Sequence, residues 1–129
     1  MDMPIRVDDL LKMEAGGCDS LILTDFDSQS FVNLPRIAME SFRVLRWGGV
    51  VEFCAVNFDW IVQHWKVNGV DKIINDLLFG EKRLSVWDEG IIVRTFFVSG
   101  FYKIWTGHIE EIPEWMFYCK ALKYSMDDR

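Results

Sequence analysis

The sequence is poor in residues that form disulfides or bind metals. It has only three cysteines and two histidines in 129 residues, and no two cysteines form a C-x-x-C pair. An odd set of isolated cysteines argues against a disulfide framework, and His64 and His108 are too isolated in the sequence to complete a zinc site. Cys54 and Cys119 lie in predicted strands, where a free cysteine behaves as a small buried hydrophobe. The sequence therefore predicts no metal centre.

Basic residues are scarce as well. The chain has 14 Lys and Arg against 20 Asp and Glu, which gives a formal net charge of -6. Duplex binding needs clustered Lys and Arg that displace counterions, so we expect no nucleic-acid partner. No segment approaches the length of a membrane span, and the N-terminus MDMPIRVDDL lacks the apolar run of a signal peptide. We therefore expect a cytoplasmic protein that does not bind membranes.

Apolar and aromatic residues, by contrast, are abundant. Half of the residues are hydrophobic, 15% are aromatic and 26% are charged. This composition excludes disorder and predicts one folded domain over residues 1–129, with a large buried or interfacial surface.

Residues 34–56 organise the rest of the chain. The apolar and small residues of the first half recur at helical spacing, which predicts a surface helix with one core-facing stripe: Leu34, Ile37, Ala38, Ser41, Phe42 and Leu45. Asn33 can cap this helix, and Gly48 and Gly49 can supply the positive φ that ends it. Residues 50–56 then form a short apolar run, typical of a strand buried on both faces, with Glu52 as its only charge.

The junction of this helix and strand carries a family resemblance. Residues 43–51 (RVLRWGGVV) resemble the R-V-L-(K/R)-P-G-G-hydrophobic signature of class I S-adenosylmethionine-dependent methyltransferases, of the type 11-like kind. Trp47 stands where the family usually has proline, but both glycines are present. A Gly-Gly pair before a buried strand is also compatible with other α/β proteins.

The remaining segments extend the resemblance. Strands are predicted over residues 18–24, 101–107 and 115–123, and helices over residues 60–67 and 70–79. Residues 88–98 favour a strand by propensity, but Asp88 can cap a helix and Ser99-Gly100-Phe101 resembles the end of the family's last helix, so we predict a helix. The family comparison implies an α/β, partial Rossmann-like methyltransferase fold. It has about four main strands in the order first, second, fourth, third, helices on both faces and a C-terminal antiparallel hairpin.

Two groups of residues are candidates for a site. Asp9 resembles the family's acidic residue after the third strand, which often contacts the adenine amine, and the loop near Thr24 and Asp25 lies at the end of the next strand. A solvated turn is the simpler interpretation of Asp8 and Asp9. Residues 57–59 (Asn57, Phe58 and Asp59) follow the central strand, where open α/β sheets bind ligands, and would form the substrate lip.

The resemblance covers nearly all of the chain, but only the C-terminal half of a methyltransferase. The family's cofactor rests on a first strand leading into a Gly-rich loop and on an acidic residue that holds the ribose. Neither can be located, because Gly16-Gly17 precedes a strand rather than following one. We expect a domain without the Gly-rich cofactor half, and no S-adenosylmethionine bound by the isolated chain.

Three functional interpretations remain. The favoured one is a truncated or degenerate methyltransferase-like domain that is a non-catalytic interaction module. The alternative is an S-adenosylmethionine-dependent methyltransferase completed by a partner chain that carries the Gly-rich half. An unrelated small α/β enzyme is the third, but Ser41 and Ser99 lack any nucleophile-elbow motif.

The missing half also predicts association. It would leave Leu21, Ile22 and Leu23 on an uncovered sheet edge, which invites pairing with another chain. We therefore expect a homodimer or another protein partner. The competing expectation is that residues 1–11 fold back as a substitute edge strand and keep the protein monomeric.

Overall fold

The described part of the chain has an α/β fold, in which helices pack against one mixed β-sheet. The structure is a computed structural model and describes residues 2–24, 26, 29–79 and 85–124. In chain order, its strands and helices are β1 (Asp2–Ile5), β2 (Cys18–Leu23), α1 (Leu34–Val44), β3 (Leu45–Asn57), α2 (Phe58–Asn68), α3 (Lys72–Phe79), β4 (Val86–Trp87), α4 (Glu89–Val98), β5 (Phe101–Gly107) and β6 (Met116–Lys123). Short 3-10 helices span Val7–Lys12 and Phe31–Asn33. No helix among the described residues is both long and apolar enough to cross a membrane.

The strand order agrees with the predicted order. The path through the sheet is β1-β2-β3-β6-β5, and the two-residue strand β4 pairs with the end of β3. Strands β1, β2 and β3 are parallel, whereas β6 is antiparallel to both β3 and β5. The predicted order of the four main strands and the C-terminal antiparallel hairpin are therefore confirmed, as is the helix over residues 89–98.

The predicted bare edge at β2 is wrong. β1 pairs with β2 in parallel, so that Asp2–Ile5 lies beside residues 20–23. Ile5 packs against the main core, which gives this pairing an apolar contribution besides its backbone hydrogen bonds. The competing expectation, that the N-terminal residues form the edge strand, is the one that the structure shows.

The two glycines after α1 do not end the helix as predicted. α1 ends at Val44, and Leu45 is already extended and completely buried. Gly48, with φ 86°, lies inside a long bulge, because β3 advances from Leu45 to Val50 while β2 advances only from Cys18 to Ser20. A Cβ on Gly49 would lie 2.9 Å from the Arg46 carbonyl oxygen, so this position requires the close approach that glycine permits.

The start and face of α1 follow the sequence pattern with two differences. Its buried residues are the predicted Leu34, Ile37, Ala38 and Ser41, together with Val44. The predicted Phe42 is half-buried against the core, and Leu45 is buried in β3 rather than in the helix. Asn33 precedes the helix as predicted. Its side chain makes no capping hydrogen bond, since Phe31–Asn33 already form a 3-10 turn.

Helices lie on both faces of the sheet, but they cover the two faces unequally. On one face, Val51, Phe53 and Ala55 are at most 2% exposed, beneath α1 and α4. On the other face α2 and α3 reach the sheet only at its end, through a small cluster of Val56, Ile61 and Leu77.

Below that cluster the second face is only partly covered, and Val50, Glu52 and Cys54 are half-buried rather than buried as predicted. We call this surface the open face. It consists of Ser20 and Ile22 of β2, the even-numbered residues 50–54 of β3 and 118–122 of β6, and Lys103 and Trp105 of β5.

Candidate functional site

The candidate site lies at the carboxyl-terminal edge of the parallel strands. β1 to β4 all run in the same direction, so the residues that follow them meet at one edge of the sheet. Thr24 follows β2, Asn57 ends β3 and Asp88 follows β4. Open α/β sheets place their ligands at this edge.

Asn57 is the best-fixed polar residue of this edge. Its Oδ1 accepts a hydrogen bond from the Asp59 backbone N–H at 2.9 Å, which caps α2. Its Nδ2 donates to Glu89 Oε1 at 3.0 Å, and its backbone N–H donates to the Trp115 carbonyl oxygen at 2.8 Å. Phe58 is 48% exposed beside it. Asn57 is therefore fixed by three hydrogen bonds, and Phe58 and Asp59 follow it in the first turn of α2.

Glu89 is a residue of this edge that sequence reasoning missed. Its contact with Asn57 depends on β4, which places the start of α4 next to the end of β3. A strand of two residues has no periodicity to detect. The one available signal was Asp88, whose Oδ1 caps α4 by accepting a hydrogen bond from the Ile91 backbone N–H at 3.1 Å.

Asp9 and Thr24, the two described residues predicted to contact a cofactor, have separate partners. Thr24 bonds back to β1, because its backbone N–H and its hydroxyl both donate to the Ile5 carbonyl oxygen, at 3.0 and 3.3 Å. Asp9 lies in the 3-10 helix after β1, with its carboxylate 3.9 Å from Lys12 Nζ. Asp25 lies outside the described residues. Neither hydrogen bonds nor ion pairs join Asp9 to Thr24 among the described residues.

A groove leads from Thr24 onto the open face. It has a volume of about 390 Å³ and is lined by Ile22, Leu23, Thr24, Glu52, Phe53, Cys54, Met116 and Tyr118. The Tyr118 hydroxyl donates a hydrogen bond to the Glu52 carboxylate. Burial, and then this hydrogen bond, raise the pKa of Tyr118, so the hydroxyl stays protonated and remains a donor at neutral pH.

Cys119 and the His64–Asp71 pair have structural roles. Burial raises the pKa of Cys119 to about 12, which leaves almost no thiolate at neutral pH. His64 Nε2 lies 2.6 Å from Asp71 Oδ2, and Asp71 Oδ1 caps α3 through the Ile74 backbone N–H, so this pair ties α2 to α3. Within the described ranges, no three His, Cys, Asp or Glu side chains come close enough to hold a metal ion.

Comparisons with known proteins give a fold but no close relative. No family model matches the sequence, and no curated protein matches it. Several solved structures do match the fold. A possible exported protein from Bordetella parapertussis has a TM-score of 0.68 at 12% identity, over 92% of this chain and 43% of that chain.

Two further similar structures are methyltransferases. An O-methyltransferase family protein from Burkholderia thailandensis has a TM-score of 0.66 at 11% identity, over 95% of this chain and 35% of that chain. A SAM-dependent methyltransferase from Archaeoglobus fulgidus has a TM-score of 0.61 at 7% identity, over 91% and 64%.

These likenesses define the class of fold. The chain has the partial Rossmann-like α/β fold of class I S-adenosylmethionine-dependent methyltransferases. It spans between 35% and 64% of the length of the methyltransferases just described. At such low sequence identity the likeness concerns the fold alone.

Proposed function

We propose that this chain is a non-catalytic, methyltransferase-like interaction module, which acts by binding another polypeptide over its open face. The unequal cover of the sheet is the observation that carries the proposal. Val51, Phe53 and Ala55 are sealed beneath α1 and α4, whereas the neighbouring residues Val50 and Cys54 on the other face are half-buried. Apolar surface of this kind on a sheet is stabilised when another layer covers it.

The shape and chemistry of the open face also suit a protein partner. Trp105 is 52% exposed there, and its ring lies 5.8 Å from the ring of Tyr118. Exposed aromatic side chains with a polar tip nearby are enriched at the centres of protein interfaces. The groove on this face is lined mainly by apolar side chains, and Glu52 is its one carboxylate.

The described residues do not fit S-adenosylmethionine. The Asp9 carboxylate, predicted to accept a hydrogen bond from the adenine amine, lies beside the Lys12 ammonium. The Thr24 hydroxyl donates its hydrogen bond to the Ile5 carbonyl oxygen. No Gly-rich loop follows a described strand at the start of a helix. We therefore propose that residues 1–129 are one domain without the cofactor half, and that the isolated chain has no cofactor.

A second function is favoured by the preserved carboxyl-terminal edge. Asn57 is held by Glu89 and Asp59 at the position where α/β sheets bind ligands. In this alternative the chain is half of an S-adenosylmethionine-dependent methyltransferase, and a partner chain supplies the Gly-rich half. Asp9, Thr24 and Asp25 would then face the cofactor, with Asn57, Phe58 and Asp59 at the substrate lip.

Calorimetric titration of S-adenosylmethionine separates these functions. With the purified chain alone we expect no binding at micromolar cofactor, because most of the polar contacts of the family's site are missing. Micromolar binding that Asp9→Ala abolishes would overturn the proposal.

The alternative has its own test. The coding sequence next to this one can be searched for a D-x-G-x-G strand-loop-helix, and its product can be added to the same titration. Binding that appears only in the mixture supports the completed enzyme over the interaction module.

A further inference from the structure

The open face is complementary to a second copy of itself. We propose that two chains pack their open faces together, sheet on sheet, about a twofold axis that runs parallel to the strands between β3 and β6. This inference rests on the proposed function, and it names the partner: another copy of this chain. The register of the four strands β2, β3, β6 and β5 brings complementary residues together about this axis.

The axis places the two central strands of one chain over those of the other. β3 and β6 pair with Val50 beside Leu122, Glu52 beside Lys120 and Cys54 beside Tyr118. A rotation about an axis parallel to the strands keeps each residue at its height along the strand. β3 of one chain therefore lies over β6 of the other, and each of these three pairs is repeated between the chains.

The central pair is a matched pair of charges. Glu52 is half-buried and Lys120 is exposed, and they lie directly opposite each other in the sheet. Yet no ion pair joins them within the described part of the chain, since the Glu52 carboxylate accepts from Tyr118 instead. A carboxylate that a partner chain covers requires a cation close by. In the dimer the partner's Lys120 lies over Glu52, and Lys120 lies over the partner's Glu52.

The outer strands give one further complementary pair. Ile22 is level with Glu52, and Trp105 is level with Lys120, so the rotation places Ile22 over the partner's Trp105. Ser20 is level with Val50, and Lys103 is level with Leu122, which places the partner's Lys103 over Ser20. Ser20 is only 6% exposed and its hydroxyl is buried, so Ile22 and Trp105 carry the contact between the outer strands.

The helices on this face touch the sheet outside the three rows of the proposed contact. On this face α2 and α3 contact the sheet through Val56, beyond the three rows that the central strands contribute. Packed sheets are separated by about 10 Å, a distance that the side chains of two facing sheets fill. A face built from Val50, Cys54, Leu122 and Trp105 around one charge pair has the composition of an interface core with a specific polar contact.

Charge reversal tests the contact between Glu52 and Lys120. We expect the wild-type chain to sediment as a dimer at micromolar concentration, and Glu52→Lys or Lys120→Glu to weaken the dimer at least about 100-fold, because each variant creates two like-charge contacts. An equimolar mixture of the two variants restores the dimer, since each charge then faces its opposite. Arg36→Glu on α1, beneath the other face of the sheet, is the matched control and stays dimeric.

The mixture excludes an effect within one chain. Glu52 and Lys120 are also neighbours in the same sheet, so each reversal places like charges side by side in the monomer as well. Mixing cannot relieve that repulsion unless the two chains contact each other. A wild-type monomer, single variants that remain dimeric, or a mixture that remains monomeric would each overturn the proposal.

Disulfide trapping gives a second test, which does not depend on the charge variants. β2 and β5 are separated by β3 and β6, so Ile22 and Trp105 of one chain are roughly 14 Å apart, too far for a disulfide within the chain. We expect Ile22→Cys/Trp105→Cys to form a cross-linked dimer on mild oxidation. Ile22→Cys/Val32→Cys is the control, because Val32 lies outside the open face, and it should remain uncross-linked. Equal cross-linking of both would contradict the proposed geometry.

The experiments can overturn the homodimer without overturning the proposed function, and the reverse. A wild-type monomer that binds no S-adenosylmethionine overturns the homodimer and leaves an interaction module with another partner. A dimer that binds the cofactor at micromolar concentration supports the packing and overturns the non-catalytic function.

Discussion

Lys123 is a charged side chain at nearly complete burial. It is 6% exposed, and its Nζ donates to the carbonyl oxygens of Phe42 and Leu45 at 2.7 and 2.6 Å. These carbonyls belong to the end of α1, where the helix leaves acceptors unpaired and its dipole favours a cation. The ammonium also lies 4.4 Å from the centre of the Phe42 ring and 4.8 Å from that of Trp47. Trp47, the departure from the family signature, therefore contributes to a cation-binding cage.

Replacement of this lysine should destabilise the fold. We expect Lys123→Ala to lower the free energy of unfolding by about 2–4 kcal/mol, because two buried carbonyls lose a charged donor. Lys66→Ala, at an exposed position of α2, should change it by less than about 0.5 kcal/mol. Denaturant unfolding of both variants measures the difference, and equal effects would contradict the role of Lys123.

The same variants give a pH dependence with a definite sign. Burial lowers the pKa of Lys123 below its ordinary value of 10.5. Just below pH 10.5 the unfolded chain therefore binds more protons at this residue than the folded chain does. The contribution of Lys123 to stability therefore rises with pH through that window. As the pH falls through the folded pKa this extra stability is lost, while the hydrogen bonds to the Phe42 and Leu45 carbonyl oxygens remain. Lys123→Ala should lack this rise.

Among the larger elements, the junction between α4 and β5 depends on one glycine. Gly100 has φ 122°, and a Cβ there would lie 2.6 Å from the Phe42 ring. We expect Gly100→Ala to cost at least about 2 kcal/mol of unfolding free energy, from backbone strain and from the displaced ring. Gly17→Ala is the control, because its Cβ would make only an ordinary contact of 3.4 Å. Thermal unfolding compares the two, and an unaffected Gly100→Ala would refute the strain.

The elements show how far the sequence predicts this fold. α4 was predictable because Asp88 supplies a cap that outweighs the strand propensity of the residues after it. The start of β3 was not predictable, because a glycine pair usually marks the end of a helix. Here the strand begins three residues before Gly48, at Leu45, whose side chain is completely buried. Local patterns specify caps and periodicity, but they do not specify which strand lies alongside.

The candidate site was likewise only partly predictable from the sequence. Asn57 and Asp59 could be placed from their position after an apolar strand, and the structure joins them. Glu89 could not, since its contact with Asn57 links residues far apart in sequence. The roles of Asp9, Thr24 and Asp25 in cofactor binding stay predictions.

The whole molecule has two packing units of unequal size. The main core joins α1 and α4 to the sheet, whereas α2 and α3 attach through the small cluster around Val56. α1 and α2 are both 11 residues long, but α1 buries five residues and α2 buries only Ile61. Local stability follows buried contacts, so the second unit opens more readily.

Hydrogen exchange measures this difference directly. We expect amides of α2 and α3 to exchange at least about tenfold faster than those of α1, with β3 and β6 the most protected. The helix of equal length is the internal control, because its intrinsic fraying is similar. Protection of α2 equal to that of α1 would show that the two units open together.

The pairing of β3 with β6 has a consequence for synthesis. β6 is the last of the described strands in chain order, and it fills the sheet position directly beside β3, between β3 and β5. The ribosome adds roughly 5–20 residues per second, so translation from Asn57 to Met116 takes roughly 3–12 s. During that interval β3 of the nascent chain can pair with β2, but the backbone groups on the opposite edge of β3 have no β6 to pair with. The most central strand of the finished protein is thus an edge while the chain is being made.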